Sequence, residues 1–124
     1  SGTGGGSYTM GGLNGGRYVK VGKMVWVTAS LQWTGRTTAY SGNLAVYGLP
    51  FTCANNRTSG SMGAISSGVS FTAGYGEWNV LIDPNYTFFY IIQNSSSGAG
   101  YSHGPNVDAT GLVYALSIVY EATS

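Results

Sequence analysis

The chain has 124 residues, which is the length of one domain with one hydrophobic core rather than of a multidomain enzyme. Nearly half of the residues are Gly, Ser, Thr or Asn, whereas Lys, Glu and Gln, which fill exposed helix positions, are scarce. Val, Ile, Thr, Tyr, Phe and Trp are abundant, and these residue types favour strands. The composition therefore predicts an all-β fold.

Charge is the next constraint, because five Lys or Arg and four Asp or Glu residues give a net charge of only +1. Such a chain has no basic field to hold nucleic acid or an anionic membrane, so neither is an expected partner. The 43% of hydrophobic residues exclude a disordered chain, and no apolar run is long enough for membrane insertion. So few charges give little protection against self-association, which favours a surface that a partner covers.

Cys53 is the only cysteine, so the chain cannot form an internal disulfide, and one thiol does not make a structural zinc site. We expect Cys53 to be a small buried side chain. Residues 1–6 have neither the basic start nor the apolar stretch of a signal peptide, and we expect a linker or a cloning remnant there. The folded domain is then expected to span residues 7–124.

The strongest local signal is a β-hairpin around Gly22-Lys23, which separates two strand-like runs. If Val21 pairs with Met24, both faces of the hairpin are apolar near its turn. One face carries Val19, Val21, Met24 and Trp26, and the other carries Tyr18, Val25, Val27, Ala29, Leu31 and Trp33. An antiparallel strand normally turns one face to water, so the second apolar face predicts contact with a neighbouring subunit. This contact should end near Thr28, where that face becomes polar.

Further strands joined by turns are predicted along the rest of the chain. Strand-like runs lie at residues 43–47, 69–73, 78–82, 86–93 and 111–121. Gly48-Leu49-Pro50-Phe51 is expected to end a strand at a corner with Phe51 buried, because proline cannot donate to a ladder. Asp83-Pro84-Asn85 predicts a turn, and residues 57–68 and 94–106, rich in Ser and Gly, predict loops. About seven or eight strands at this spacing favour a jelly-roll-like antiparallel β-sandwich.

Several of these segments resemble a known family. The run from Gly16 to Val27, then Gly42-Asn43-Leu44, Gly48-Leu49-Pro50-Phe51-Thr52 and Tyr120 resemble the C-terminal β-sandwich domains of tailed-phage tail fibres and tailspikes. Those domains commonly carry a Tyr-x-Lys-x-Gly hairpin, a Gly-Leu-Pro-Phe corner and a last strand that ends in Tyr. In outline the resemblance extends from Tyr8 to Tyr120.

This resemblance implies a viral protein of the bacteriophage virion. The expected form is a homotrimeric jelly roll at the distal end of a tail fibre or tailspike. The expected role is receptor binding, that is, host attachment through a bacterial surface glycan. Any glycan-cleaving activity of such proteins would sit in a part that is not present in this chain.

Residues suited to catalysis are scarce. Paired carboxylates would have to come from Glu77, Asp83, Asp108 and Glu121, which we expect to order turns and loops or to lie exposed. His103 is the only histidine and has no partner at metal-ligand spacing, and no Gly-x-Ser-x-Gly nucleophile turn occurs. We therefore expect no enzyme activity, no cofactor and no metal.

Aromatic side chains remain as candidate ligand contacts, since Trp and Tyr rings stack on sugars while neighbouring polar groups bond the hydroxyls. Residues 75–78 and 94–106 combine these residue types, and neither segment contains Lys or Arg. The candidate carbohydrate-binding residues are Tyr75, Glu77, Trp78, Asn94, Tyr101, His103 and Asn106. Together they predict a shallow, neutral site, whereas Trp26 and Tyr114 are assigned to strand packing.

Three functions are compatible with the sequence. The first is a trimeric domain that binds carbohydrate without cleaving it. The second is a purely structural trimerisation cap that binds no ligand. The third is a small glycan-active enzyme, which the few carboxylates disfavour. Sugar binding separates the first two functions, and release of reducing sugar would identify the third.

Overall fold

A computed structural model describes residues 7–12, 14–39, 43–98, 100–102 and 104–124. The predicted linker at residues 1–6, Gly42 and His103 lie outside this set, as does the side chain of Tyr114. The described residues form nine strands and no helix, so the all-β class is confirmed. The strands are β1 Ser7–Met10, β2 Gly15–Val21, β3 Met24–Thr38, β4 Ala45–Tyr47, β5 Thr58–Ser70, β6 Tyr75–Ile82, β7 Phe88–Ser95, β8 Tyr101–Ser102 and β9 Asn106–Glu121.

The nine described strands belong to one antiparallel sheet with the order β1-β3-β9-β5-β6-β7-β4. β1 and β2 both pair with the same edge of β3, at different positions along it, and β8 pairs with β7. The sheet divides at Gly60, which pairs with both Val80 of β6 and Ile118 of β9. β5 pairs with β6 only over residues 58–60 and with β9 beyond them, so the sheet has a first half (β1, β2, β3, β9, β5) and a second half (β6, β7, β4, β8).

The two halves pack face to face around one core, which is the arrangement of a single-domain β-sandwich. Buried side chains of both halves belong to the same cluster: Val25, Val27 and Trp33 of β3, Val113, Leu116, Ile118 and Tyr120 of β9, Val80 and Ile82 of β6, and Phe89 and Ile91 of β7. A smaller buried cluster of Ala45, Leu81, Tyr90 and Ile92 lies on the opposite face of the second half. The jelly-roll order of connections stays a prediction.

The predicted hairpin is confirmed in register. Val21 pairs with Met24 across a two-residue turn, and Gly22 has a φ of 59°, a left-handed conformation that suits glycine. Val25 and Val27 are buried on the inner face, as the alternation requires. The turn at residues 83–85 is also confirmed, with Asn85 at a φ of 66°.

The prediction of a loop at residues 57–68 is wrong, because these residues lie almost entirely in β5, which pairs along β9. The strand predicted at 69–73 is therefore the end of β5, which stops at Ser70. Small residues serve packing here rather than flexibility. A Cβ on Gly60 would lie 2.9 Å from the side chain of Ile118 and closer still to the carbonyl of Ser117, so the strands approach closely only because Gly60 has none.

The predicted loop at residues 94–106 is also partly structured. β7 continues to Ser95, and the chain then turns back as β8, whose Tyr101 pairs with Asn94. Ser95 N–H donates to the carbonyl of Gly100 at 2.7 Å and closes this short hairpin. Gly98 N–H also donates to the Ser95 carbonyl at 3.0 Å, and the Ser and Gly residues provide the backbone freedom that this turn needs.

Tyr120 holds the corner at Phe51. Its buried hydroxyl donates to the Phe51 carbonyl at 2.9 Å and accepts from the Phe51 N–H at 3.2 Å. The Tyr18 ring meets the Phe51 ring edge-on at 5.4 Å, and Lys20 Nζ lies 5.2 Å from the centre of that ring. The hairpin, the corner and the end of β9, which are three of the segments that resemble the known family, thus meet at Phe51.

Phe51 itself is only partly buried, so the expectation of full burial is wrong. Its ring lies at the edge of the core between Tyr18 and Lys20 rather than inside the sandwich. Partial burial implies that Phe51→Ala costs about 1–3 kcal/mol, less than a fully buried phenylalanine.

Removing the Tyr120 hydroxyl should destabilise the domain. We expect Tyr120→Phe to lower the free energy of unfolding by about 1–3 kcal/mol, because both backbone groups of Phe51 lose their partner. Urea unfolding measures the effect. Tyr18→Phe is the matched control, since that hydroxyl bonds no described residue and the ring contact is kept; its change should stay within about 0.5 kcal/mol. Equal stability of Tyr120→Phe and the wild type would contradict the role given to this contact.

Alkaline pH should weaken the fold through the same residue. Burial raises the pKa of Tyr120 above its ordinary value, although the hydrogen bond to Phe51 lowers it in part. The neutral ring therefore stabilises the fold fully below the ordinary tyrosine pKa of about 10, and this contribution is lost as pH rises through the folded value. Urea midpoints between about pH 8 and 11 should decline less steeply for Tyr120→Phe than for the wild type; identical slopes would refute the assignment.

Candidate functional site

Three of the predicted site residues form one row across neighbouring strands. Glu77 of β6 is opposite Asn94 of β7, and Asn94 is opposite Tyr101 of β8. Opposed residues of antiparallel strands share a face, so the three side chains lie together on the outer face of the second half. Glu77 and Tyr101 are exposed and Asn94 is half-buried. This Glu77 row offers a carboxylate, an amide and an aromatic ring to solvent.

Trp78 lies on the opposite, inner face, where it pairs in register with Gln93. Its ring stacks on Phe71 with centroids 4.2 Å apart and planes 15° from parallel, and it packs against the core. The side-chain amide of Asn106 donates to the Phe71 carbonyl at 3.1 Å. Trp78 and Asn106 thus belong to a neighbourhood around Phe71 and are not brought to the Glu77 row.

Tyr75 begins β6 opposite Ser95, and a register shift separates it from Glu77. Its side chain is half-buried, and its N–H donates to the carbonyl of Thr72 at 3.1 Å. Tyr75 therefore lies next to the Glu77 row but outside its regular pairing. The prediction for His103 falls outside the described residues.

Gln93 anchors the two segments that surround these residues. Its side chain is only 1% exposed. Oε1 accepts from Thr72 N–H at 2.9 Å, while Nε2 donates to Thr72 Oγ1 at 2.9 Å and to the Gly104 carbonyl at 3.3 Å. A buried amide is tolerated because both of its ends are bonded. An amide directly after Ile91-Ile92 is the sequence signal that could have predicted this anchor.

A second aromatic group occupies the other end of the same outer face. The Phe88 ring lies 4.7 Å from the Tyr47 ring and 4.5 Å from the Tyr86 ring, and Tyr90 meets it edge-on at 5.4 Å. Tyr47 and Tyr86 are exposed, whereas Tyr90 is buried. These four residues, the Phe88 group, were not predicted as a site. Alternation of aromatic residues at 86, 88 and 90 is the signal that could have found them.

An ion pair lies at the turn of residues 83–85. Arg57 Nε lies 2.6 Å from Asp83 Oδ1. The pKa of Arg57 is raised chiefly by its hydrogen bond to Asp83 and by that carboxylate's charge, and further by Tyr101. Burial raises the pKa of Tyr90, with Tyr86 adding to the effect, so Tyr90 remains a neutral hydroxyl near neutral pH. Thr58, the residue after Arg57, pairs with Ile82, so this ion pair lies at the end of β6 away from Glu77.

A separate apolar surface covers the outer face of the first half at the hairpin. Its members are side by side in the ladder, since Val21 pairs with Met24 and Trp26 pairs with both Val19 and Val119. The five side chains, each between 38% and 64% exposed, are Val19, Val21, Met24, Trp26 and Val119. Beyond them the same face continues with the polar pair Thr28 and Ser117. This hairpin patch is confined to the turn end, as the sequence predicts.

Cys53 is free and buried, as the sequence predicts. Burial raises the pKa of its thiol, and the charges of Glu121 and Asp83 raise it further, so it is not a reactive thiolate. Within the described ranges, no three His, Cys, Asp or Glu side chains lie together as a metal-ligand set would. The same ranges contain no helix that is long and apolar enough to cross a membrane.

Known proteins give no independent guide to the function. Comparison of the chain with protein-family models, with curated proteins and with solved structures finds no match. The function must therefore be inferred from the molecule's own surfaces, which are the Glu77 row, the Phe88 group and the hairpin patch.

Proposed function

We propose that this chain is the C-terminal domain of a phage tail fibre or tailspike, which assembles as a homotrimer in the virion and binds carbohydrate on a host bacterium. The hairpin patch is the observation that carries the proposal. Five neighbouring apolar side chains are exposed on a regular sheet face, in a chain with few charges to keep it apart from copies of itself.

Burial of the hairpin patch in an assembly would remove the cost of its exposure. Stable interfaces between identical chains are large and apolar, on the order of 2,000 Å² or more, and their centres are enriched in aromatic residues and Met. Trp26 and Met24 lie within the patch and suit such a centre. The threefold order of the assembly comes from the resemblance to tail-fibre domains.

The contacts of Phe51 support that resemblance. Tyr18 and Lys20 of the hairpin, Phe51 of the corner and Tyr120 of β9 form one contact group, although they are far apart in the sequence. Segments that build one corner together are expected to occur together in related chains. Three of the segments that carry the resemblance, namely the hairpin, the corner and the end of β9, therefore form a single structural unit.

The Glu77 row supports carbohydrate binding. Tyr101 provides a ring that can stack on the C–H face of a sugar, and Glu77 and Asn94 provide acceptors and a donor for its hydroxyls. Binding is favoured over cleavage, because hydrolysis requires a second free carboxyl group across the substrate, and Asp83 is occupied by Arg57.

A purely structural trimerisation cap is the second candidate. The observation that favours it is the stacking of Trp78 on Phe71, which uses one of the predicted sugar contacts for packing. Both candidates require the hairpin patch to be covered, whereas only the first requires the Glu77 row to bind a ligand. The oligomeric state tests the first requirement, and sugar binding tests the second.

The domain should be a trimer at micromolar concentration. Light scattering should give about three times the chain mass of 12.9 kDa. The double variant Val19→Ser, Trp26→Ser should be a folded monomer, because the centre of the patch becomes polar. Thr28→Ser, on the same face beyond the patch, should leave the trimer intact. A wild-type mass equal to one chain would overturn the proposed assembly.

Sugar binding should depend on Tyr101 and not on Tyr86. These two exposed tyrosines lie at opposite ends of one sheet face, so Tyr101→Ala and Tyr86→Ala are matched variants. On an array of bacterial surface oligosaccharides, Tyr101→Ala should weaken binding at least about tenfold, whereas Tyr86→Ala should not. Binding should vary little with salt, because no free cation belongs to the row.

If Tyr86→Ala weakens sugar binding and Tyr101→Ala does not, the sugar site is at the Phe88 group. Wild-type trimer that binds neither the array nor host cells would support the structural cap. Release of reducing sugar from a bound oligosaccharide would instead identify an enzyme.

A further inference from the structure

The hairpin patch has a charged residue beside each of two opposite corners. Arg17 of β2 pairs with Thr28 of β3, so its side chain lies on the outer face with the patch. Glu121 at the end of β9 pairs with Met24 and lies on the same face, since its two chain neighbours are buried. Arg17 is exposed and Glu121 is half-buried. Apolar side chains therefore separate a cation from a carboxylate on one surface.

Neither of these charges is paired within its own chain. Arg17 and Val21 are four residues apart on β2, and Val21, Met24 and Glu121 form one row across three strands. Arg17 and Glu121 are therefore separated by about 13 Å along the strands and about 10 Å across them. No ion pair in the described part of the chain involves either residue. Each charge is thus available to a group on another molecule.

Covering the patch would give these two charges an energetic role. The proposed assembly removes water beside both of them, and a desolvated charge without a partner is strongly unfavourable. Opposite charges on facing surfaces offset this cost and fix the register in which the surfaces meet. Apolar contact alone has no such directional preference. The two charged corners are therefore suited to select one arrangement of the copies.

A ring of three copies brings the unlike corners together. Each contact in such a ring is heterologous, so one side of the face meets the opposite side of the same face on the next copy. β2, which carries Arg17, forms one side of the patch, and β9, which carries Glu121, forms the other, with β3 between them. Each of the three contacts then contains one cation and one carboxylate.

We propose that Arg17 of each copy pairs with Glu121 of the next copy, and that this ion pair sets the register of the assembly. The inference rests on the proposed function, because it requires copies of the chain to cover the hairpin patch. It assigns each charge a partner that the apolar contact does not supply.

Charge reversal tests the pair. Sedimentation velocity of a dilution series gives the chain concentration at which half of the trimer dissociates, and sub-denaturing urea extends the series if dilution alone leaves the wild-type trimer intact. Arg17→Glu and Glu121→Arg should each raise this concentration at least about tenfold, because like charges then meet in every contact. The double variant Arg17→Glu, Glu121→Arg should return to within about threefold of the wild type, because the pair is restored with opposite polarity.

Lys23→Glu is the matched control. Lys23 is an exposed cation in the hairpin turn, and its carbonyl accepts from the N–H of Ala122, next to Glu121, at 2.7 Å, so it is the alternative partner within the same chain. Lys23→Glu combined with Glu121→Arg has the same net charge as the Arg17 double variant, yet it should not restore the trimer. Circular dichroism should show the native spectrum for every variant, because none of these side chains lies in the core.

A second set of variants measures the same coupling without reversed charges. If Glu121→Arg does not fold, Arg17→Gln and Glu121→Gln replace the reversals. Each should raise the dissociation concentration about threefold to fivefold, and the double change should cost no more than either single change. Additive effects of the two changes would show that the two side chains do not interact.

The outcomes separate this ion pair from the proposed assembly. A wild-type mass of one chain would overturn both. A wild-type trimer that tolerates both single reversals would remove the ion pair and leave the proposed function in place. Rescue of Glu121→Arg by Lys23→Glu rather than by Arg17→Glu would also overturn the pairing, because it would assign Glu121 to the turn of its own chain.

Discussion

The hydroxyl of Tyr120 holds the backbone of Phe51 at both its N–H and its carbonyl, and three parts of the molecule depend on this contact. It joins the centre of the sheet, where β9 lies between β3 and β5, to the corner that follows β4. The corner in turn supports the hairpin through Tyr18 and Lys20. Leu49 and Pro50 of the same corner line a cavity of about 670 Å³ between the two halves of the sheet. The contact therefore links the stability of the core to the positions of the corner and of the hairpin.

Much of the fold could be predicted wherever apolar residues alternate. The hairpin register and β9 from residue 111 onward follow from that alternation, whereas the two strands beside the turn at residues 83–85 follow from continuous apolar runs that the turn separates. β5 could not be predicted, because its Ser and Gly residues have the composition of a loop and it is a strand only through pairing with β9. Close approach at Gly60 makes those small residues necessary, and such a requirement is visible only after the partner strands are known.

The residues of the candidate site could be predicted only in part, because composition does not show which strand face a side chain occupies. Composition selected two segments of the chain, and the structure places Glu77, Asn94 and Tyr101 of these segments in one row. Composition cannot tell to which face a side chain belongs, because neighbouring residues of a strand point in opposite directions and a register shift changes the assignment. Trp78 therefore lies on the inner face beside Gln93. The Phe88 group was missed because Tyr47 joins it from a strand distant in sequence.

The central position of β9 has a consequence for synthesis in the cell. β3 ends at Thr38 and β5 at Ser70, yet the strand that pairs with both begins only at Asn106. A ribosome adds about 5–20 residues per second, so β3 waits roughly 3–14 s for this partner. During that time the edges of β3 and β5 are open to pairing with other nascent chains. The sheet therefore cannot close until β9 has been made, and chaperones that cover open strand edges would affect the yield of folding.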